Sequence, residues 1–349
     1  MVNIIKTSNS SLESVDFSNL LFGTVFSDHM LSCNFIDGKW QKPEILPYGP
    51  ISFNPGLQVL HYGQSVFEGM KAFKNKDNEV LLFRKEENFK RLNKSAIRLS
   101  IPEIPEDIFM QGLNDLISLD QNWCKLGKDY SLYIRPFIFA SSECIKASSS
   151  NEFKFMIITS PTSTYYNQDL NLFVEEKYTR AVKGGVGFAK AAGNYAASFY
   201  PTKIANSKGF QQVIWTDSSK HQFIEECGTM NVWFRIEDKL ITPSISDTIL
   251  SGITRDSIIT LARESGIEVE EKDISILELL DAYKNDKLIE VFGTGTAVAV
   301  SPVKSITYRN HKMSFCDISD SFAVILKEKL QSIQRGEVMD KYGWTSKVI

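Results

Sequence analysis

Residues 183–198 read KGGVGFAKAAGNYAAS, a run dominated by small side chains. Such a run lets backbone approach a ligand closely and gives one long side chain, Lys190, room to reach out of a crowded surface. Two readings compete. A solvated lysine on a glycine-rich surface loop is the commoner fate of this residue type. The alternative is an amine in a desolvated pocket, where its pKa falls and it attacks a carbonyl. A dinucleotide fingerprint is not available, because Gly185-Val186-Gly187-Phe188-Ala189 runs into Lys190 where G-x-G-x-x-G needs its third glycine.

Downstream, Ile224-Glu225-Glu226-Cys227-Gly228-Thr229-Met230-Asn231 joins two apolar runs. An acidic pair at a strand end is usually solvated; the alternative has one carboxylate turned into a site and paired with a cation. Ser251-Gly252-Ile253-Thr254-Arg255 precedes an apolar-periodic helix. It is either a plain N-cap or an anion site using the free N–H groups and positive dipole end. Gly293-Thr294-Gly295-Thr296-Ala297 follows a strand but lacks the lysine of a P-loop, so nucleotide hydrolysis is not indicated. Two such turns with a lysine and a carboxylate suit a phosphorylated, cationic-ring aldehyde cofactor. Upstream, residues 61–73 are dense in aromatics, most often a sign of core packing. Tyr133 and Arg135 share one face of a strand and can receive a carboxylate together.

The chain has 349 residues, 43% of them hydrophobic and 23% charged, as in soluble globular proteins. That length suggests two domains or one large α/β unit. The 39 basic and 42 acidic residues leave a net charge of −3. No basic excess exists to neutralise a nucleic acid backbone, so no nucleic acid partner is expected. Five scattered cysteines without a CxxC pair and four separated histidines support neither a disulfide framework nor a metal site, and a reducing cytoplasm fits. No apolar run approaches bilayer length, and residues 1–16 lack the apolar core of a secretion signal.

Periodicity predicts a hairpin over 34–40 turning at Asp37-Gly38, helices over 85–99, 106–119, 253–264, 276–283 and 322–333, and strands over 80–83, 131–140, 153–158, 211–215, 222–226, 230–235, 240–242 and 288–292. The polar, turn-rich stretch after Pro161 predicts a boundary. The expected division is a small N-terminal α/β domain over 1–160, a connecting loop over 161–170 and a large cofactor-binding domain over 171–349.

Together these segments resemble the branched-chain amino acid aminotransferases, members of the fold-type IV pyridoxal-phosphate enzymes. The likeness rests on HYGQSVFEGMKAFK (61–74), NFKRL (88–92), LYIRP (132–136), GGVGFAKAAGNYAAS (184–198), QQVIWTD (211–217), EECGTMNVWF (225–234), SGITR (251–255) and EVFGTGTA (290–297), in that order. It implies an α/β (α+β) fold of two domains with the cofactor, pyridoxal 5′-phosphate, in the cleft between them. It implies amino-group transfer between L-leucine, L-isoleucine or L-valine and 2-oxoglutarate in a ping-pong cycle, and a homodimer. Lys190 matches the lysine that holds the cofactor covalently. Tyr195 matches the phenol on its ring hydroxyl, and Glu226, rather than Glu225, the carboxylate at its ring nitrogen. Arg91, Ile253, Thr254 and Thr296 match phosphate binders. Thr229 and Ala297 match positions near the substrate α-carboxylate. Tyr62, Phe67, Tyr133 and Tyr165 match the side-chain pocket, with Arg135 the nearby guanidinium. The sequence departs from some relatives at Val298-Ala299-Val300-Ser301, where they carry a CxxC, and at Tyr166-Asn167-Gln168-Asp169-Leu170, where a glycine-rich stretch is common. Rival readings are a D-amino acid aminotransferase, a 4-amino-4-deoxychorismate lyase, and a non-catalytic cofactor binder; the last would lack Lys190 or Glu226.

Overall fold

Asp37 and Gly38 both adopt positive φ, 52° and 74°. This two-residue reversal matches strand twist and sets Phe35 opposite Trp40, the expected hairpin. The computed structural model describes residues 2–163, 170–318 and 320–348. The chain divides into two units. One holds Met1–Tyr165, Ala189–Gly193 and Ser332–Ile349; the other holds Tyr166–Phe188 and Asn194–Gln331.

The first unit is built on a ten-stranded, largely antiparallel sheet. Ser131–Ala140 lies near its middle, between Phe153–Thr162 on one side and Ser65–Phe67 and Met70–Lys74 on the other. The helices Lys85–Arg98 and Glu106–Leu119 bury Leu92, Ala96, Phe109, Leu113, Leu116 and Ile117 in the same core as Leu82, Leu132 and Phe155. Phe109 is the hinge of that packing, its ring centroid 5.3 Å from Phe89 and 6.0 Å from Phe155.

The second unit holds a nine-stranded mixed sheet. Leu170–Val174 runs parallel to Gln212–Thr216 and to Ala299–Tyr308. Asn231–Ile236 pairs antiparallel with Leu288–Gly295. Ile253–Glu264 starts at Gly252 and ends before Gly266, whose φ of +76° stops it as expected. Ile276–Lys284 opens on a capping box between Ser275 and Glu278.

Two features differ from expectation. The small-residue run is not simply a loop: the helix Ala192–Ser207 begins two residues after Lys190. Its buried face is Asn194, Ser198, Pro201 and Ala205, spaced helically but without an apolar stripe, so hydrophobic periodicity did not reveal it. The division of the chain also departs from a single cut, since Ala189–Gly193 and Ser332–Ile349 belong to the first unit. The reason is strand pairing: Ala191 bridges Val66, and Thr345–Lys347 pairs with Val80–Phe83.

Replacing Phe109 by Ala removes a fully buried ring from this core and is expected to cost about 3–5 kcal/mol. Urea denaturation of the variant, followed by tryptophan fluorescence, measures the loss.

Candidate active site

In the first unit the Lys190 backbone is held from two sides. Its N–H donates to Ser95 Oγ at 3.0 Å, and its carbonyl accepts from the Phe67 N–H at 3.1 Å. Its Nζ lies 4.9 Å from the Phe67 ring centroid. Ser95 Oγ in turn donates to the Arg91 carbonyl at 2.9 Å. Arg91 meets Glu68 in a two-pronged ion pair, Nε to Oε1 at 2.6 Å and Nη2 to Oε2 at 2.9 Å. Glu68 is wholly buried and also accepts from Asn88 Nδ2 at 2.8 Å. Burial opposes its charge, but Arg91, Lys190 and Asn88 outweigh that and hold the carboxyl below the usual glutamate range.

Tyr133 and Arg135 do share a face, and Arg135 Nη2 donates to the Tyr133 hydroxyl at 2.9 Å. The Arg135 guanidinium stacks 4.5 Å from the Phe67 centroid, so one ring carries both this cation and the Lys190 amine. Its Nε is buried with no hydrogen-bond partner. Gly69 makes the arrangement possible, because a Cβ there would sit 2.1 Å from the Tyr133 oxygen. Tyr62 is half-exposed and donates to the Ile145 carbonyl. Tyr165 lies outside the described residues.

In the second unit Glu226 is buried on the strand Ile224–Cys227. Its Oε1 accepts from the Leu250 N–H at 2.7 Å. Its Oε2 lies 3.2 Å from Arg180 Nε, an ion pair without hydrogen-bond alignment. Arg180 is fixed by donating to the Gly187 and Thr248 carbonyls. Ile253 and Thr254 open the helix Ile253–Glu264. Only glycine fits before them: a Cβ at Gly252 would lie 2.0 Å from Asn231 Oδ1. Thr229 sits in the turn Cys227–Met230, and its carbonyl comes within 3.9 Å of where a Gly295 Cβ would be, beside the turn carrying Thr296 and Ala297. Tyr195 is half-buried on Ala192–Ser207.

Sequence reasoning gave no role to Glu68, Asn88, Ser95, Arg180 or Leu250. Asn88, Arg91 and Ser95 had a signal, being polar residues at helical spacing beside the apolar stripe. Arg180 and the Leu250 N–H had none. Among the described residues no cluster of His, Cys, Asp or Glu could hold a metal ion, and no helix is long and apolar enough to cross a membrane.

A lysine held by its own backbone, a buried acid and a helix that starts after a glycine suit an enzyme that handles amino groups through a phosphorylated aldehyde, as the sequence resemblance implies. The family model for amino-transferase class IV matches residues 65–306, and the chain belongs to that family. It is 45% identical over 345 residues, 96% of this chain and 95% of the relative, to a protein of Staphylococcus epidermidis named probable branched-chain-amino-acid aminotransferase. It is 43% identical over 338 residues, 95% of this chain and 93% of the relative, to branched-chain-amino-acid aminotransferase 2 of Bacillus subtilis. The solved branched-chain amino acid aminotransferase of Escherichia coli superposes with a TM-score of 0.73 at 28% identity, covering 91% of this chain and 99% of that one. The family's cofactor is pyridoxal 5′-phosphate. The residues present fit it: Ile253–Glu264 is a helix of twelve residues that starts after a glycine, and Glu226 is a buried acid with the Leu250 N–H on one oxygen and Arg180 beside the other.

Glu68 titrates lower in the folded chain than in the unfolded one, so its stabilisation is present above the usual glutamate pKa and is lost as pH falls through the folded value. Glu68→Gln is expected to flatten this acid limb in urea titrations at a series of pH values. It also strands a buried guanidinium and is expected to cost about 3–5 kcal/mol at neutral pH.

Proposed function

We infer that this chain is a branched-chain amino acid aminotransferase, moving the amino group between L-leucine, L-isoleucine or L-valine and 2-oxoglutarate. The observation that carries the reading is the Phe67 ring with the Lys190 amine and the Arg135 guanidinium both against it. An aromatic wall suits an aliphatic side chain, and a part-buried cation beside a tyrosine hydroxyl suits the second carboxylate of glutamate. One site must accept both in turn, and near-full-length relatives carry the same activity in their names.

Bound pyridoxal phosphate supplies an aldehyde for the amino group and a cationic ring that absorbs the electrons left when Cα–H breaks. Lys190 would hold the cofactor covalently at rest; displaced by substrate, its amine would carry the proton away from the donor's Cα in one half-cycle and deliver one to the Cα of the acceptor in the other. Glu226, with the Leu250 N–H on one oxygen and Arg180 beside the other, would hold the proton on the ring nitrogen. Tyr195 bonds the ring hydroxyl. Arg91, held by Glu68 through Nε and Nη2, would meet the phosphate. Ile253 and Thr254 meet it through the helix start, and Thr296 through its turn. Thr229 and Ala297 border the α-carboxylate; Tyr62 and Tyr133 complete the pocket wall. A homodimer is supported by the exposed apolar side chains Leu60 and Ile145 beside Tyr62, and a cytoplasmic location by five cysteines without a disulfide.

The purified chain is expected to aminate 2-oxoglutarate from leucine, isoleucine and valine and not from D-alanine. Borohydride reduction with cofactor should label Lys190 alone in a peptide map, and Lys190→Ala should lower turnover by about 10²- to 10⁴-fold. A label elsewhere ends this reading. Arg135→Gln removes a charged donor worth about 1.5–3 kcal/mol, so KM for glutamate should rise roughly 10- to 100-fold while KM for leucine changes little.

A further inference from the structure

A regular strand sends consecutive side chains to opposite faces. Ile224–Cys227 departs from that at Glu225. Ile214 pairs with Cys227 and Trp215 with Glu226, but Thr216 pairs with Ile224, so Glu225 is skipped as the extra residue of a β-bulge. The bulge turns two adjacent carboxyls toward the same surroundings. Glu226 meets the Leu250 N–H and Arg180; Glu225 meets the Thr248 hydroxyl and the field of the same Arg180. Both are more than nine-tenths buried, and Glu225 Oε2 has no hydrogen-bond partner.

One guanidinium, ion-paired with Glu226, therefore also acts on Glu225 through its field. It cannot follow them, since it is tethered to the Gly187 and Thr248 carbonyls. The other charged group facing Glu225 is Asp217, which is spent on its own turn, accepting the Gln222 and Phe223 N–H groups at 2.7 Å each. Burial pushes the Glu225 carboxyl up, Thr248 and Arg180 oppose this, and the negative charges of Glu226 and Asp217 add to the rise.

We propose that Glu225 is a positioning residue for Glu226: in its neutral form it leaves Arg180 to Glu226, and once ionised it competes for the same guanidinium. The proposal rests on the assignment of Glu226 to the cofactor ring nitrogen. Its consequence is that the ring nitrogen senses pH through a side chain that does not touch it. Ionised Glu225 adds negative charge beside the tethered Arg180 and offsets part of its field at Glu226, which strengthens the hold of Glu226 on the ring proton.

Infrared difference spectra of the full chain without cofactor, recorded against pH, test the first half. The carboxyl C=O band missing from Glu225→Gln belongs to Glu225. It should titrate above the usual glutamate range in the wild type and move down in Glu226→Gln, where Arg180 is left to Glu225. A midpoint unmoved by Glu226→Gln overturns the proposal. So does a wild-type midpoint at or below the usual range, which decides the matter even if Glu226→Gln does not fold. The second half is read with pyridoxal phosphate bound. The absorption maximum should shift across the Glu225 midpoint in the wild type and stay constant in Glu225→Gln; identical titrations in the two overturn the coupling. If the carboxyl titrates as stated but the chain takes up no cofactor, the functional reading falls and the competition for Arg180 stands.

Discussion

A carboxylate from which water is wholly excluded persists only when donors meet both of its oxygens. Glu68 is such a group. The Arg91 fork and the Asn88 amide both come from the helix Lys85–Arg98, so the carboxylate fixes how that helix is rotated. One turn further along, Ser95 donates to the Arg91 carbonyl and accepts the Lys190 N–H. A single hydroxyl thus connects the buried ion pair to the backbone of Lys190. The Phe67 N–H on the other side of Lys190 belongs to the residue before Glu68. The two supports of the lysine therefore originate at one buried charge, and no loop of independent mobility lies between them.

The second unit shows the same economy around the short segment Thr248–Gly252. The Leu250 N–H serves Glu226, and the Leu250 carbonyl accepts from Asn231 Nδ2 at 2.9 Å. The oxygen of that same asparagine occupies the space a side chain at 252 would need. Glu226 and the start of Ile253–Glu264 are thus tied through one amide. A shift at either is felt at the other, because the parts between them are backbone rather than flexible side chain.

Much of this was legible in the residue order, for reasons that differ from element to element. Glu106–Leu119 and Ile253–Glu264 announce themselves because apolar residues recur every three or four positions on the buried face. Ala192–Ser207 does not, because its inward face is asparagine, serine, proline and alanine. Lys190 and Glu226 were singled out through the small residues and the Gly-Thr turn around them. Arg180 was not, since an arginine that completes an ion pair across the sheet carries no mark in its own neighbourhood. Glu225 was set aside for its spacing, and the bulge that makes it interesting is a property of strand register, which sequence does not display. The resemblance to branched-chain aminotransferases named residues that touch ligand in relatives. It passed over Ser95 and Asn88, which touch only other residues.

The strand Thr345–Lys347 closes the edge of Val80–Phe83, and the Trp344 carbonyl takes the Arg84 N–H at the start of Lys85–Arg98. The Lys347–Glu79 ion pair at this seam joins residues 268 positions apart. A ribosome makes the early strand long before its partner exists. Through most of synthesis Val80–Phe83 therefore offers an unpaired, wholly apolar edge to any passing strand. The partner strand emerges only after the whole of the second unit, so the first unit, although begun first, is the last to be finished.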